Sequence, residues 1–264
     1  MLSVIVLTRN EEKNIRASLE SVREFADEVL VLDSGSGDRT VEIARELGVR
    51  VEQRAFDNYP VQRNAAIDLA RGDWIFFLDA DERATKAFAV ELCDQLALAD
   101  GRRVKNEPSQ VGFWVPRKNI IFGKLIRYTG WSPDFQPRVL KKGFGQFDST
   151  REVHELLVWN GNVGYCREPL IHYNYDTLAQ FCAKQRAYTR FEAKVWFEEG
   201  KRARLRGFIR QPMREFFRRY ILLKGWRDGA HGFLLSVLMG YYAFVRYRIL
   251  WSMTTDWLYE QRLG

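Results

Sequence analysis

A chain of 264 residues, 46% apolar and 14% aromatic, has enough material for a full hydrophobic core, which excludes a disordered or low-complexity protein. Its net charge of +7 is uneven: between Lys201 and Lys224 nine Lys/Arg face a single acid, Glu215, and such a block implies an anionic neighbour. Three scattered cysteines, Cys93, Cys166 and Cys182, show neither metal spacing nor a disulfide framework and suit a reducing compartment, and no run reaches about 18 uninterrupted apolar residues.

In chain order, Leu2 to Leu7 is β-rich, too short and without the basic leader of a signal peptide, so it reads as a first strand. Asn10 is placed as the N-cap of a helix whose apolar positions are Ile15, Leu19, Val22 and Phe25. Val29 to Leu32 is a second strand and ends at Asp33-Ser34-Gly35-Ser36-Gly37-Asp38, a tight polar loop in which Asp38 caps the helix Thr40 to Leu47. Asp33 is either a turn residue or a hydrogen-bond partner for a ribose or a base. Val49 to Glu52 is a third strand, and Pro60 opens a helix that carries Gln62, Arg63 and Asn64. Strands alternating with helices predict a doubly wound, largely parallel sheet. There is no Gly-x-Gly-x-x-Gly after the first strand and no Walker lysine, which disfavours dinucleotide and P-loop readings.

Trp74 to Leu78 is an unbroken apolar run, the mark of a strand buried on both faces. It delivers Asp79 and Asp81 at its carboxyl end, where open α/β sheets bind ligands. Side chains two apart on an extended backbone share a side, and two hard oxygen donors suit Mg²⁺ or Mn²⁺ held jointly with phosphates. The alternative is a solvated acidic turn.

After the helix Lys86 to Leu98 the pattern changes to short strands with long connections, including Gly112 to Pro116, Gln136 to Leu140 and Val153 to Val158. Between them Gly130-Trp131-Ser132-Pro133-Asp134 offers an aromatic face and an acid. Asp148, Glu152 and Glu155 lie close in sequence to His154, and His172 follows another strand-like run. From Thr177 onward the chain reads as helical. One helix stops at Gly200, a basic segment interleaves Leu205, Phe208, Ile209, Phe216 and Phe217 with its cations, and a last apolar helix runs from Phe233 to about Trp257. Aromatic and leucine residues among Lys/Arg describe a helix lying in an anionic membrane interface. The alternative is an apolar face packed on the catalytic domain. Helical spacing of the aromatics and the lack of a nucleic-acid motif argue against nucleic acid.

Val4-Ile5-Val6-Leu7-Thr8-Arg9-Asn10-Glu11-Glu12, Asp33 to Thr40, Arg63-Asn64 and Phe77-Leu78-Asp79-Ala80-Asp81-Glu82, taken in order, resemble a family 2 glycosyltransferase of the GT-A fold. The second-half segments Gly130 to Asp134, Arg138-Val139-Leu140, Val153-His154-Glu155, Leu170-Ile171-His172-Tyr173 and Asp228-Gly229 resemble the lipopolysaccharide-core heptose β-1,4-glucosyltransferase group. The resemblance implies a Rossmann-like, mostly parallel mixed sheet over 1–175, with a nucleotide-sugar half at 1–100 and an acceptor half at 111–175, and a helical, basic and amphipathic extension over 176–264. It implies that Thr8, Asn10, Glu11, Asp33, Arg63, Asp79, Ala80 and Asp81 bind the nucleotide sugar, and that Asp79, Asp81 and His172 hold the Mg²⁺ or Mn²⁺ ion. Trp131, Asp134 and Arg138 are expected at the acceptor. The catalytic acid of the family normally lies in a Glu-Asp-type motif, and here that place reads His154-Glu155. Glu155 is therefore the first candidate base, Glu152 the second, with His154 beside them.

The implied reaction is an inverting transfer of glucose or another hexose from a UDP-sugar to a lipid-linked glycan such as lipopolysaccharide core. It would run on the cytoplasmic membrane's inner face, with 201–257 on anionic lipid. Two competing readings are transfer to a polyprenyl phosphate and a non-catalytic, membrane-bound nucleotide-sugar scaffold.

Overall fold

The structure, a computed structural model, describes residues 1–101, 110–149 and 157–263. The chain begins β1 (Leu2–Thr8), α1 (Ile15–Glu20), β2 (Glu28–Asp33), α2 (Thr40–Glu46), β3 (Arg50–Gln53), α3 (Tyr59–Leu69), β4 (Trp74–Phe77), β5 (Glu82–Arg83) and α4 (Lys86–Ala99). It continues through β6 (Gln110–Ile121), β7 (Lys124–Leu125), β8 (Asp134–Lys141), β9 (Gly145–Phe147), β10 (Leu157–Trp159), β11 (Asn162–Tyr165) and β12 (Leu170–Tyr175). It ends in α5 (Leu178–Glu198), α6 (Gly207–Phe217) and α7 (Ala230–Leu263). Two compact units emerge. One is Met1–Lys118 with Asp134–His172; the other is Asn119–Pro133 with Tyr173–Gly264.

The first unit is built on a mixed sheet whose strand order is β3-β2-β1-β4-β8-β6-β12-β5. The first four strands are parallel, as the alternation of strands and helices predicts, and β8 then runs antiparallel to both β4 and β6. Strand β4 shows why its sequence is unbrokenly apolar. Trp74 and Phe76 enter one core with Val4, Val6, Ile15, Leu19, Phe88 and Leu92, while Ile75 and Phe77 enter the opposite core with Ile5, Leu30, Leu32, Ile67 and Phe147. The two-residue period of a strand sends alternate side chains to opposite faces, and both faces are covered. Gly72, just before β4, sits where a Cβ would lie 2.7 Å from the Met1 carbonyl oxygen and 2.7 Å from Ser3 Oγ. Only glycine lets the chain enter β4 this close to β1.

In the second unit, a two-residue turn with both Phe122 and Gly123 at positive φ joins β6 to β7. Asp228 organises the segment that follows. Its carboxylate accepts from Arg127 N at 3.1 Å, Tyr128 N at 2.9 Å and Thr129 Oγ1 at 2.9 Å, and Lys124 Nζ donates to its carbonyl oxygen. Capped by a reciprocal Thr177–Gln180 pair, α5 packs on α7 through Phe181 and Tyr242. α6 also lies on α7: Phe208 meets Phe244, Tyr247 and Trp251, and a Cβ on Gly207 would fall 2.0 Å from the Tyr247 ring. The last helix is longer than the sequence pattern suggests. Counting uninterrupted apolar residues stops at Arg246, but the helical segment Ala230–Tyr259 contains an 18-residue stretch with a mean hydropathy of 1.3 and is long and apolar enough to cross a membrane, with 39% of that stretch buried.

Two stability effects are expected. Phe76→Ala should cost about 3–5 kcal/mol by opening a cavity in the core, and Asp228→Ala about 3 kcal/mol by leaving two backbone N–H groups without their carboxylate. Urea unfolding midpoints of the two variants check both.

Candidate active site

The loops that follow β1 and β2 lock each other. Asp33 is fully buried; its Oδ1 accepts from Gly35 N at 3.0 Å and Ser36 N at 2.9 Å, and its Oδ2 from Thr8 Oγ1 at 3.1 Å and Ser36 Oγ at 2.5 Å. A carboxylate has about four acceptor positions, so three bonds from the loop and one from Thr8 on β1 fill them. Asn10 is not the N-cap of α1. It sits at φ 58° and bridges to the second loop, its N donating to Ser36 Oγ at 2.8 Å and its Oδ1 accepting from Gly37 N at 2.8 Å. Asparagine tolerates this left-handed geometry because its side chain bonds locally, and α1 starts later, after Asn14. Glu11 N donates to Thr40 Oγ1 at 2.7 Å. Asp38 serves the head of α2 by accepting from Thr40 N at 3.0 Å, although Arg39 stands between it and the first helical residue.

At the end of β4 the chain turns over Asp79-Ala80-Asp81-Glu82. Glu82 N donates to Asp79 O at 2.9 Å and Asp79 N to Glu82 Oε2 at 3.0 Å, so backbone and side chain close the same turn. Ala80 is buried in the core beneath it. Strand β8 contributes Asp134 and Gln136, spaced by two and so presented on one face, and Arg138, which lies at the register shift between β8 and β6. Arg138, expected at the acceptor, is only 3% exposed and grips Asp79 with both terminal nitrogens, Nη1 to Oδ1 at 3.0 Å and Nη2 to Oδ2. The same Nη2 lies 2.5 Å from Glu82 Oε1, which also accepts from Arg117 Nη1 at 3.1 Å. Arg117 passes the charge on to Asp134 at 2.8 Å, and Gln136 donates to the other Asp134 oxygen at 2.7 Å. Arg63 approaches Asp79 Oδ1 at 3.5 Å, with its guanidinium 4.9 Å from the Phe77 ring centroid and 5.4 Å from that of Phe147.

The result is an alternating chain of charge, Arg63, Asp79, Arg138, Glu82, Arg117, Asp134. Burial alone would raise the Asp79 carboxyl, but the Arg138 guanidinium, then Arg63, outweigh it and hold Asp79 well below the usual carboxylate range. Burial likewise favours a neutral Arg138, and Asp79 with Glu82 reverses that, holding its charge still more firmly.

Asp81 meets a different strand from the one that holds Asp79. Pairing of β5 with β12 sets His172 opposite Glu82, and His172 Nε2 comes within 3.4 Å of Asp81 Oδ2. Among the described residues no group of three His, Cys, Asp or Glu side chains is placed to hold a metal by itself. Asp81 and His172 nevertheless offer one carboxylate and one imidazole side by side. Glu152, His154 and Glu155 lie outside the described residues. Trp131 belongs to the second unit, where its ring meets Tyr175 edge-on at 5.9 Å and its carbonyl accepts from Asn119 Nδ2. Asp134 and Arg138 belong to the first unit. The parts played by Glu82, Arg117 and Gln136 are not among the sequence expectations. The two-residue spacing of Asp134 and Gln136 is the signal that points to Gln136, whereas Glu82 and Arg117 meet only through long-range pairing.

Against known proteins, the family model described as "Glycosyl transferase family 2" matches residues 3–145. The lipopolysaccharide core biosynthesis glycosyltransferase LpsC of Rhizobium meliloti is 29% identical over 253 residues, covering 92% of this chain and 89% of that one. An uncharacterized glycosyltransferase of Rickettsia bellii is 27% identical, covering 93% and 84%. Among solved structures, S. aureus TarS is 18% identical with a TM-score of 0.45, covering 93% of this chain and 55% of its own. Glucosyl-3-phosphoglycerate synthase from Mycobacterium tuberculosis, solved with Mn²⁺, UDP and glucosyl-3-phosphoglycerate, is 22% identical with a TM-score of 0.35, covering 46% and 44%. This chain therefore spans about half or less of each of those two structures. With the family model covering more than half of the chain and the mixed sheet presenting its acidic turn at the end of β4, the protein belongs to glycosyl transferase family 2, a glycosyltransferase on the GT-A fold.

Proposed function

We propose that this enzyme transfers glucose or another hexose, with inversion, from a UDP-sugar to a lipid-linked glycan such as lipopolysaccharide core, at the inner face of the cytoplasmic membrane. The observation that carries the proposal is the Asp81–His172 pair, set at the carboxyl end of the central strand beside an Asp79 whose charge is fixed. The acceptor class is supported by the resemblance to LpsC, a lipopolysaccharide core glycosyltransferase.

The donor set fits a divalent cation shared with substrate. Asp81 and His172 supply two ligands, and Mg²⁺ or Mn²⁺ ordinarily completes its shell with phosphate oxygens and water. Such an ion, when bound, offsets the charge that develops on the departing diphosphate. Asp79, committed to Arg138 and Arg63, acts beside that pair by keeping the turn in one shape and Arg63 near the diphosphate. Thr8, Asn10 and Glu11 line the nucleotide pocket, and Asp33 shapes it by holding the Ser34 to Gly37 loop. An inverting displacement also needs a carboxylate within hydrogen-bond reach of the acceptor hydroxyl. Glu155 is assigned this role, with Glu152 second and His154 adjacent. Trp131 and Asp134 are assigned to the acceptor sugar, whereas Arg138 is reassigned to holding Asp79. Transfer to a polyprenyl phosphate is a second reading, favoured by the length and apolarity of Ala230–Tyr259.

Release of UDP from a panel of UDP-sugars, with and without Mn²⁺, tests the reading. One donor should turn over in a metal-dependent way, and Asp81→Ala and His172→Ala should each lower the rate on the order of 100-fold or more. Equal turnover without metal, or in both variants, would remove the assignment. Offering lipid-linked core glycan and polyprenyl phosphate in parallel separates the two acceptors.

The Arg138 assignment makes a pH prediction. A carboxyl whose folded pKa is depressed adds stability that is fully present above its unfolded pKa of about 3.9 and is lost as pH falls toward the folded value. Arg138→Gln should therefore be destabilised by a constant amount above about pH 5, and its deficit relative to wild type should narrow below about pH 4. Urea titrations from pH 7 to pH 3 measure this, and a deficit that widens toward acid contradicts it.

A further inference from the structure

The second unit carries a two-row pattern that sugar transfer leaves unexplained. Leu205, Ile209, Met213, Phe217 and Ile221 recur every four residues and are all exposed, Ile209 at 73%. Each of the first three is followed by an exposed arginine, giving a second row of Arg206, Arg210 and Arg214. The opposite side of α6 is fully engaged, with Phe208 in the Phe244, Tyr247 and Trp251 cluster and Phe216 against Phe233. The main packing of the helix on α7 is thus made by the side opposite the outer rows.

A four-residue repeat drifts from a 3.6-residue helix by about 40° per step. The π-helical turn at Arg218–Leu222, with its wider i→i+5 bonding, takes up part of that drift and keeps Ile221 and Leu222 exposed beyond the end of α6. The charges are as one-sided as the apolar row. Glu215, the one acid in the block, is spent on Arg218 at 2.7 Å and Arg219 at 2.6 Å. Arg206, Arg210 and Arg214 have no acidic partner among the described residues. At the head of α6 a cleft of about 200 Å³ gathers Lys201, Arg202, Arg204, Arg206 and Arg210 with no acid in its lining, Lys201 alone of the five being paired with an acid among the described residues, Glu199 at 2.6 Å.

We infer that the outer face of α6 is an interfacial helix that lies in an anionic phospholipid surface. Ile209, Met213 and Phe217 enter the acyl boundary, while Arg206, Arg210 and Arg214 sit at phosphate depth. An apolar row flanked by unpaired cations matches this surface in both chemistry and order. A soluble anion would use the arginines and leave the apolar row in water. This deepens the membrane part of the proposed function by naming the contact, and it rests on that reading only for placing the enzyme at a membrane.

Co-sedimentation of the full chain with phosphatidylcholine vesicles, alone or with 30% phosphatidylglycerol, provides the test. Wild type should bind the anionic vesicles at least about tenfold more tightly than the neutral ones. The triple variant Ile209→Ser, Met213→Ser, Phe217→Ser should lose binding by about tenfold or more even at low salt. Arg206→Gln, Arg210→Gln, Arg214→Gln should lose the anionic preference. Because the altered side chains are exposed, thermal midpoints and metal-dependent UDP release in solution should match wild type in both variants. That control separates failure of this inference from failure of the sugar-transfer reading. Unchanged vesicle binding in the apolar variant, no vesicle binding by wild type, tighter binding to single-stranded DNA than to anionic vesicles, or a dimer abolished by the apolar variant would each overturn it.

Discussion

Six charged side chains around one turn must neutralise one another, and that requirement shapes the first unit. Removing an ionised carboxylate or guanidinium from water is costly unless it is paired and hydrogen-bonded. Glu82 and Arg138 are both buried, and each satisfies the other because the sheet brings β8, between β4 and β6, to the turn that carries Glu82. The alternating order of Arg63, Asp79, Arg138, Glu82, Arg117 and Asp134 leaves no two like charges in direct contact along the chain of pairs. The turn at Asp79 to Glu82 is thus held from inside by ion pairs and from beneath by the apolar core, a combination that fixes where Asp81 stands.

Much of this fold is legible in the order of the amino acids. The unbroken apolar run at Trp74 to Leu78 announces a strand covered on both faces, and alternating strands and helices announce the parallel half of the sheet. Glycine and short polar residues mark the Asp33 to Asp38 loop. What stays hidden has a common physical cause: long-range pairing. Asn10 carries the local signature of a helix cap, yet its amide bridges to Gly37, a partner 27 residues away. Arg138 reads as a polar strand residue, and only the antiparallel pairing of β8 with β4 turns it toward Asp79. Counting uninterrupted apolar residues likewise understates the last helix, because Arg246 interrupts the sequence but pairs with Glu192 and lies over the Trp196 ring at 4.2 Å.

The second unit solves a different problem with similar means. Asp228 collects the backbone of Arg127 and Tyr128, a contact spanning about a hundred residues of sequence, so the segment after β7 is tied to the start of the last helix. Tyr247 closes over Gly207, and its hydroxyl both accepts from Arg204 N at 2.6 Å and donates to Arg204 O at 2.8 Å. A single tyrosine thereby satisfies the backbone ahead of α6 and fixes how that helix is rotated, which decides which of its side chains face outward.

The irregular register between β6 and β8 has a consequence for how such a site can vary. The pairing shifts between Phe113 and Trp114, so that Gly112 and Phe113 match Leu140 and Val139, whereas Trp114 to Arg117 match Pro137 to Asp134. A bulge of this kind lets one strand segment keep its alignment while its continuation is re-aimed. Below the bulge Phe113, Val139 and Leu140 belong to the core, and above it Arg117 and Asp134 belong to the charged chain, so the two stretches answer to separate constraints. Length changes in the turn that leads into β8 would be absorbed or rejected according to which side of the bulge they displace. Because a one-residue slip reverses every side chain of a strand, an insertion above it would silence the charged face while leaving the apolar half of the sheet assembled.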